Sequence, residues 1–198
     1  MTKANTMTLD FYNQNAEAFF NNTIQVDMSE LYAPFLMRLP PQGCILDAGC
    51  GSGRDAKAFA DLGFRVQAMD ASIELVKLAR QYTGLEVRHQ NLESINEQEA
   101  FHGIWACASL LHLPMASLPR VFQQFAAALK PGGLWYLSFK YGQGERTKDG
   151  RNFTDLNEQG LAQLLSQCPS LSLVEQWITL DKRPDRDEQW LNALLVRG

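Results

Sequence analysis

The sequence predicts an α/β fold in which a parallel sheet is buried between two helical layers. Three observations carry that expectation. Short apolar runs rich in β-formers alternate with segments of helical period along the chain. The first of these runs opens into a glycine-rich turn, Gly49-Cys50-Gly51-Ser52-Gly53. Hydrophobic residues make up 45% and charged residues 20% of the 198 residues, the balance of one globular domain. A chain of this size buries roughly 70% of its unfolded surface and needs no covalent staple. Strand–helix–strand alternation at this spacing gives right-handed βαβ units, whose ligands bind beyond the carboxyl ends of the strands.

Two helical segments, roughly 13–21 and 28–38, precede the first strand, read at 44–48. Ala56, Phe59, Ala60 and Leu62 then share one helical face, and Gly63 ends that helix. The second strand is 65–69. Ser72 caps the next helix, whose Ile73, Val76 and Ala79 face inward, with Gly84 beyond its end. Strands at 85–88 and 103–107 follow. Pro119 starts a helix with an apolar stripe of Val121, Phe122, Phe125 and Leu129, and Lys130-Pro131-Gly132-Gly133 stops it before a strand at 134–139. Asp155 with Glu158 reads as a capping box for a helix through Leu161, Leu164 and Leu165. Apolar runs at 171–180 and 190–196 complete the chain.

Lys plus Arg number 18 against 22 Asp plus Glu, a net charge of -4. That balance argues against a protein built to grip nucleic-acid phosphates. The opening residues are too polar for a signal peptide, and no apolar run approaches the ~18 residues of a membrane span. A cytoplasmic protein with no membrane partner is expected. Cys44, Cys50, Cys107 and Cys168 form no C-x-x-C pair and read as buried, reduced thiols.

Asp47 stands two positions before the first glycine of the turn. A pyrophosphate would bring two negative charges there, and a carboxylate repels them. The dinucleotide fingerprint also wants Gly or Ala where Arg54 stands, and no Gly-Lys-Ser or Gly-Lys-Thr of a P-loop follows. An NAD-linked reductase is disfavoured on both counts. S-adenosylmethionine fits better: it has no phosphate, a sulfonium, an ammonium and a single carboxylate. Asp47 would balance its cationic end, directly or through water. The amides of Gly49, Gly51 and Gly53, with Arg54, would take the carboxylate. Asp70 ends the second strand, where an acidic side chain accepts from both ribose hydroxyls. A helix cap is the other use for an Asp here, but Ser72 already fills it. Ala71 and Ser72 follow at the same edge.

Ile45-Leu46-Asp47-Ala48-Gly49-Cys50-Gly51-Ser52-Gly53, with Asp70 and Leu129-Lys130-Pro131-Gly132-Gly133-Leu134, resembles the class I S-adenosylmethionine-dependent methyltransferases. The resemblance implies a Rossmann-like, doubly wound seven-stranded sheet of order 3-2-1-4-5-7-6, the last strand antiparallel. It implies one methyltransferase domain over 1–198, with a helical lid at 1–40 and a catalytic core at 41–198. An adenine contact is implied in His89-Gln90-Asn91-Leu92-Glu93, through the Asn91 side chain and the Leu92 amide, although the family more often carries Asp where Asn91 stands. Ser109 and its neighbours would line the pocket. Phe11-Tyr12-Asn13-Gln14-Asn15-Ala16 resembles the family's N-terminal lid helix, with Tyr12 reaching the methionine end. The product would be S-adenosylhomocysteine.

Methyl transfer from a sulfonium needs alignment first, and a base only when the nucleophile starts protonated. His112, after the fourth strand, is the candidate base or substrate ligand. His89 belongs to a strand end and His102 to a surface turn, and no spacing suggests a metal. The segment 140–151 reads as a flexible loop with four basic and two acidic residues. Lys140 and Arg151 are its expected substrate contacts, with Arg183 and Arg186 adding charge from the turn between the last two strands. After the fourth strand stands Ala108-Ser109-Leu110-Leu111, neither the Asp/Asn-Pro-Pro-aromatic sequence of amino-methylating DNA enzymes nor the paired glutamates of protein arginine methyltransferases. A small-molecule acceptor is therefore expected, with no nucleic-acid partner. An anionic acceptor suits the basic loop. Some resemblance to tellurite-resistance methyltransferases adds metalloid anions to the candidates. A binding-only regulator that has lost catalysis is the alternative.

Overall fold

The computed structural model describes residues 3–183 and 186–198. The elements in chain order are α1 (Lys3–Gln14), α2 (Ala16–Thr23), α3 (Ser29–Leu36), β1 (Cys44–Ala48), α4 (Arg54–Asp61), β2 (Arg65–Asp70), α5 (Ile73–Thr83), β3 (Val87–His89), β4 (Phe101–Ala106), α6 (Leu118–Ala128), β5 (Leu129–Lys140), β6 (Gly144–Lys148), β7 (Arg151–Asp155), α7 (Glu158–Ser166), β8 (Leu171–Leu180) and β9 (Gln189–Arg197). Seven strands form one sheet in the order β3-β2-β1-β4-β5-β9-β8, with β9 antiparallel to both neighbours. This is the expected topology with two strands, β6 and β7, inserted ahead of the last pair.

Successive residues of β5 show why the sheet is buried on both sides. Trp135 packs against Phe122 and Phe125 of α6 at centroid distances of 4.7 and 4.9 Å. Its neighbour Tyr136 points the other way and stacks on Trp105 of β4 at 3.8 Å. The second face is closed by Phe35 of α3 and Phe59 of α4, both fully buried. At the start of β5, Leu129 pairs with Phe101 and Leu134 with Gly103, so Lys130-Pro131-Gly132-Gly133 bulges out of the ladder.

Several local expectations hold. Ser72 Oγ accepts from the Leu75 amide at 3.2 Å, and Gly84 caps α5 in the left-handed region at φ 71°. Others are corrected. The segment 140–151 is not a loop: β6 and β7 form an antiparallel hairpin whose two-residue turn is Asp149-Gly150, at φ 51° and 73°. An Asp-Gly pair with both φ positive is a favoured tight hairpin turn, a signal present in the sequence. Asp155 ends β7 rather than capping α7. It receives Arg146 Nε at 2.5 Å, and the cap is Asn157, whose Oδ1 accepts from the Gly160 amide at 3.0 Å. The N-terminal segment begins its helix at Lys3 and breaks at Asn15, so the first two residues of the expected 1–40 lid lie outside the described residues. His102 sits on β4, where its Nδ1 accepts from the Cys44 amide at 3.0 Å. Of the four free cysteines, Cys44 and Cys107 are only partly buried.

Candidate functional site

The turn after β1 is held open by glycine. Gly49, Gly51 and Gly53 have φ of 80°, 54° and 80°, a region that side chains avoid. A Cβ on Gly49 would sit 2.5 Å from Ser109 Cβ, and one on Gly51 2.9 Å from the Phe19 ring. These two glycines let the backbone face a cavity. Gly53, expected to do the same, instead packs on Thr83 and Ala79 of α5.

The first cavity holds about 810 Å³ of space open to solvent. It gathers Asp70, Ala71, Ser72, Asn91, Leu92 and Ser109 with Gly49 and Gly51, residues expected together. The N-terminal helices add Thr8, Leu9, Tyr12 and Phe19. Gln90 joins from the sheet edge, where the residue after β3 meets the end of β2. Asp70 Oδ2 accepts from the Gly51 amide at 2.9 Å and Oδ1 from the Ser72 amide at 2.8 Å. Burial pushes this carboxyl above its usual range, and the two amides pull back part of the way. Ser72 Oγ also donates to Asn13 Oδ1 at 2.7 Å, pinning α1 over the cavity. Ser109 Oγ is buried with no partner.

Asp47 is corrected. It is 2% exposed and is absent from the lining of both this cavity and the larger one beside it, because β1 is paired on both sides and the first turn of α4 covers its carboxyl. Its Oδ2 has no hydrogen-bond partner. Burial, then the charge of Asp55, holds it well above the carboxylate range against the pull of Arg54 and the Ala56 amide. Arg54 gives its Nε and Nη2 to Asp55 at 2.6 and 3.0 Å, and Nη1 to the Thr23 carbonyl at 3.3 Å. Its donors are engaged within the protein. The sequence reading missed Asp55, which also accepts from Tyr32 Oη at 2.6 Å and Trp105 Nε1 at 2.8 Å. Burial opposes the Asp55 charge, but Arg54 and these donors outweigh it and keep the carboxyl below its usual range. Nothing local in the sequence marks Asp55, because its partners come from α3, α4 and β4.

A second, larger cavity opens on the other side of the loop. Its lining shares Tyr12, Phe19, Gly49, Gly51, Ala108 and His112 with the first. Tyr12 Oη and His112 Nε2 are 2.8 Å apart in this common wall, and His112 Nδ1 lies 2.8 Å from the Asn152 carbonyl of β7. A carbonyl only accepts, so Nδ1 carries the proton and Nε2 accepts from Tyr12. Burial, reinforced by the charges of Arg151 and Lys140, pushes His112 down to about 4. Burial raises Tyr12, with Arg151 pulling the other way.

The second cavity carries seven basic and four acidic residues. Lys140 and Arg151 both line it, as do Arg183 and Arg186. Lys140 is buried, donates to Glu188 Oε1 at 2.7 Å and stands 4.8 Å from the Phe153 ring centroid. Arg183 is paired with Asp181. Arg151 lies over the Phe11 ring at 4.3 Å, its Nε has no partner, and Asp149 is 3.8 Å away. His89 stays at the end of β3, with Nε2 2.9 Å from the Ala71 carbonyl.

A family model described as a methyltransferase domain matches residues 45–133, from β1 to the bulge of β5. The ubiquinone biosynthesis O-methyltransferase of Xanthomonas axonopodis pv. citri is 37% identical over 109 residues, 51% of this chain and 45% of that protein. The chain thus spans about half the length of the curated relatives it matches. Among solved structures, the 1,6-didemethyltoxoflavin-N1-methyltransferase of Burkholderia thailandensis, crystallised with 1,6-didemethyltoxoflavin and S-adenosylhomocysteine, has a TM-score of 0.78 at 22% identity, covering 98% of this chain and 87% of that one. The magnesium protoporphyrin IX methyltransferase of Synechocystis PCC 6803, with S-adenosylmethionine bound, has a TM-score of 0.75 at 16% identity, covering 100% and 99%. The matched segment is the one that builds the glycine turn and the Asp70 edge, and the fold is shared over the whole chain. The segment from β1 to the bulge of β5 thus matches a methyltransferase-domain model, and the fold of the whole chain is that of solved S-adenosylmethionine-dependent methyltransferases.

Proposed function

We propose that the protein transfers a methyl group from S-adenosylmethionine to a small, anionic acceptor. The observation that carries this reading is the pair of cavities meeting at one wall. The residues fit the cofactor: the Gly49 and Gly51 cradle has no room for a Cβ, Ser109 lines the first cavity and keeps a buried hydroxyl without a partner, and half-buried Asp70 lines it too. Asp70 would hold the ribose, Asn91 and Leu92 the adenine, and the turn amides the methionine carboxylate. The bound group supplies an already activated methyl. The chain's task is then to align an acceptor and exclude water.

The second cavity's excess of basic residues supports a negatively charged acceptor, and its aromatic lining supports a flat one. Lys140 and Arg151 are the proposed contacts. Small-molecule acceptors also appear in the names of the relatives, ubiquinone biosynthesis and 1,6-didemethyltoxoflavin. We assign 1–40 as the lid and 41–198 as the core, because α1 and α2 roof the first cavity through Thr8, Leu9, Tyr12 and Phe19. Calorimetry with S-adenosylmethionine, S-adenosylhomocysteine and NAD tests the binding. Micromolar affinity for the first two is expected, and preference for NAD would overturn the reading. Turnover of an acceptor from a metabolite panel separates the enzyme from a binding-only regulator.

A further inference from the structure

We propose that Tyr12 is the group that takes the acceptor's proton, passing its own to His112, and that the acceptor is therefore an O–H or N–H acid. This rests on the methyl-transfer reading. Both ring nitrogens of His112 are taken, Nδ1 by the Asn152 carbonyl and Nε2 by Tyr12 Oη, each at 2.8 Å. No ring nitrogen is left to meet a ligand, so a proton reaches His112 only through the Tyr12 oxygen. Tyr12 lines both cavities and stands where a methyl donor in one would meet an acceptor in the other.

The surroundings are built for that transfer. Asn152 is on the hairpin strand β7, and its carbonyl fixes the tautomer that leaves Nε2 as an acceptor. The same carbonyl steadies the positive ring once Nε2 is protonated. Thr8 Oγ1 accepts from the Asn152 amide at 3.0 Å, so α1 and β7 are tied together beside the pair. Edge-to-face contacts with Phe19 and His112, at centroid distances of 5.2 and 5.3 Å, hold the Tyr12 ring.

The acceptor O–H (or N–H) bond breaks, and its proton goes to Tyr12 Oη. The Tyr12 proton moves to His112 Nε2. The electron pair left on the acceptor atom forms the new bond to carbon, and the C–S pair returns to sulfur. One positive charge leaves the sulfonium and one appears on the imidazole. Tyr12 accepts and donates together, so it never stands as a free tyrosinate in its buried site. Acceptors whose nucleophile carries no proton, such as a thioether, a tertiary amine or a metalloid oxyanion, gain nothing from this arrangement.

Tyr12→Phe tests the proposal, assayed with catechol, protocatechuate and a dinitrocatechol that is already ionised at neutral pH. About a hundredfold loss of kcat is expected with the first two, the scale of general-base catalysis. Little loss is expected with the ionised compound at saturating S-adenosylmethionine, with S-adenosylhomocysteine affinity measured in parallel. Equal loss with all three acceptors, or loss that follows S-adenosylhomocysteine affinity, would make Tyr12 a latch of the lid and overturn the relay. Nitrogen NMR of the imidazole needs no turnover: a proton on Nδ1 supports the relay, and one on Nε2 overturns it. Turnover of a tertiary amine, a thioether or a metalloid oxyanion, with none of any catechol, overturns the proposed acceptor class. Failure to bind S-adenosylhomocysteine sinks the methyl-transfer reading itself.

Discussion

The amide of Gly51 donates to Oδ2 of Asp70 at 2.9 Å, so the turn after β1 and the end of β2 are fastened into one wall of the first cavity. Asp70 holds the backbone and faces the cavity at the same time. Asp70→Ala should therefore weaken S-adenosylhomocysteine binding by roughly 1.5–3 kcal/mol, the scale of a hydrogen bond to a charged group. That is about ten- to a hundredfold in the dissociation constant. Calorimetry measures it, and an unchanged constant would remove Asp70 from the binding site.

Gly49→Ala places a methyl 2.5 Å from Ser109 Cβ on a backbone at φ 80°. Strain of that kind costs roughly 1–3 kcal/mol. Thermal unfolding should show the loss, together with weaker cofactor binding. Adding Ser109→Gly relieves the collision but leaves the φ penalty, so the double variant should recover part of the stability and no more.

Asp55→Asn removes the charge that neutralises Arg54 in a buried setting. Breaking one partner of such a pair costs about 3–5 kcal/mol, because the other charge stays behind unpaired. Urea denaturation should show a drop of that size. A variant as stable as the native chain would mean that Tyr32 and Trp105 carry the hub without the charge.

His112 makes stability depend on pH with a definite sign. Its ordinary value is 6.5 and the folded protein holds it at about 4, through burial first and then Arg151 and Lys140. Between those values the unfolded chain binds the extra proton, so this contribution is intact above 6.5 and lost as pH falls toward 4. Asp47 and Asp70, raised above their ordinary range, tilt stability the opposite way. The comparison is therefore between native protein and His112→Gln. From about pH 7 to about pH 5 the native chain should lose more stability than the variant. Parallel curves would show that His112 is not held neutral.

Much of the first cavity was legible because its residues follow one another closely after strand ends. Asp70 and Ser72 come straight off β2, and Asn91 and Leu92 come just after β3. Where a βαβ sheet brings strand ends to one edge, neighbours in sequence become neighbours in the site. Asp47 shows the limit of that reasoning. Its place in the motif was plain, yet pairing of β1 on both sides and the cover of α4 put its carboxyl behind the turn. The hairpin of β6 and β7 was misread through its charges, although Asp149-Gly150 carried the turn signal.

The sequence by itself determined the layered sheet, its glycine turn and the acidic strand end, because periodic burial and left-handed backbone are written into local residue order. Only the tertiary structure decided the chemistry of the dividing wall. Tyr12 from α1, His112 after β4 and Asn152 on β7 lie far apart in sequence, the first two separated by 100 in residue number. Which nitrogen of His112 carries its proton is fixed by a backbone carbonyl that no side-chain pattern announces. The same holds for the cations of the second cavity, where Lys140 is matched by Glu188 just before the neighbouring strand, 48 positions away, while Arg151 keeps a buried nitrogen unpaired. Pairing of charges depends on distance in space, and sequence spacing does not encode it.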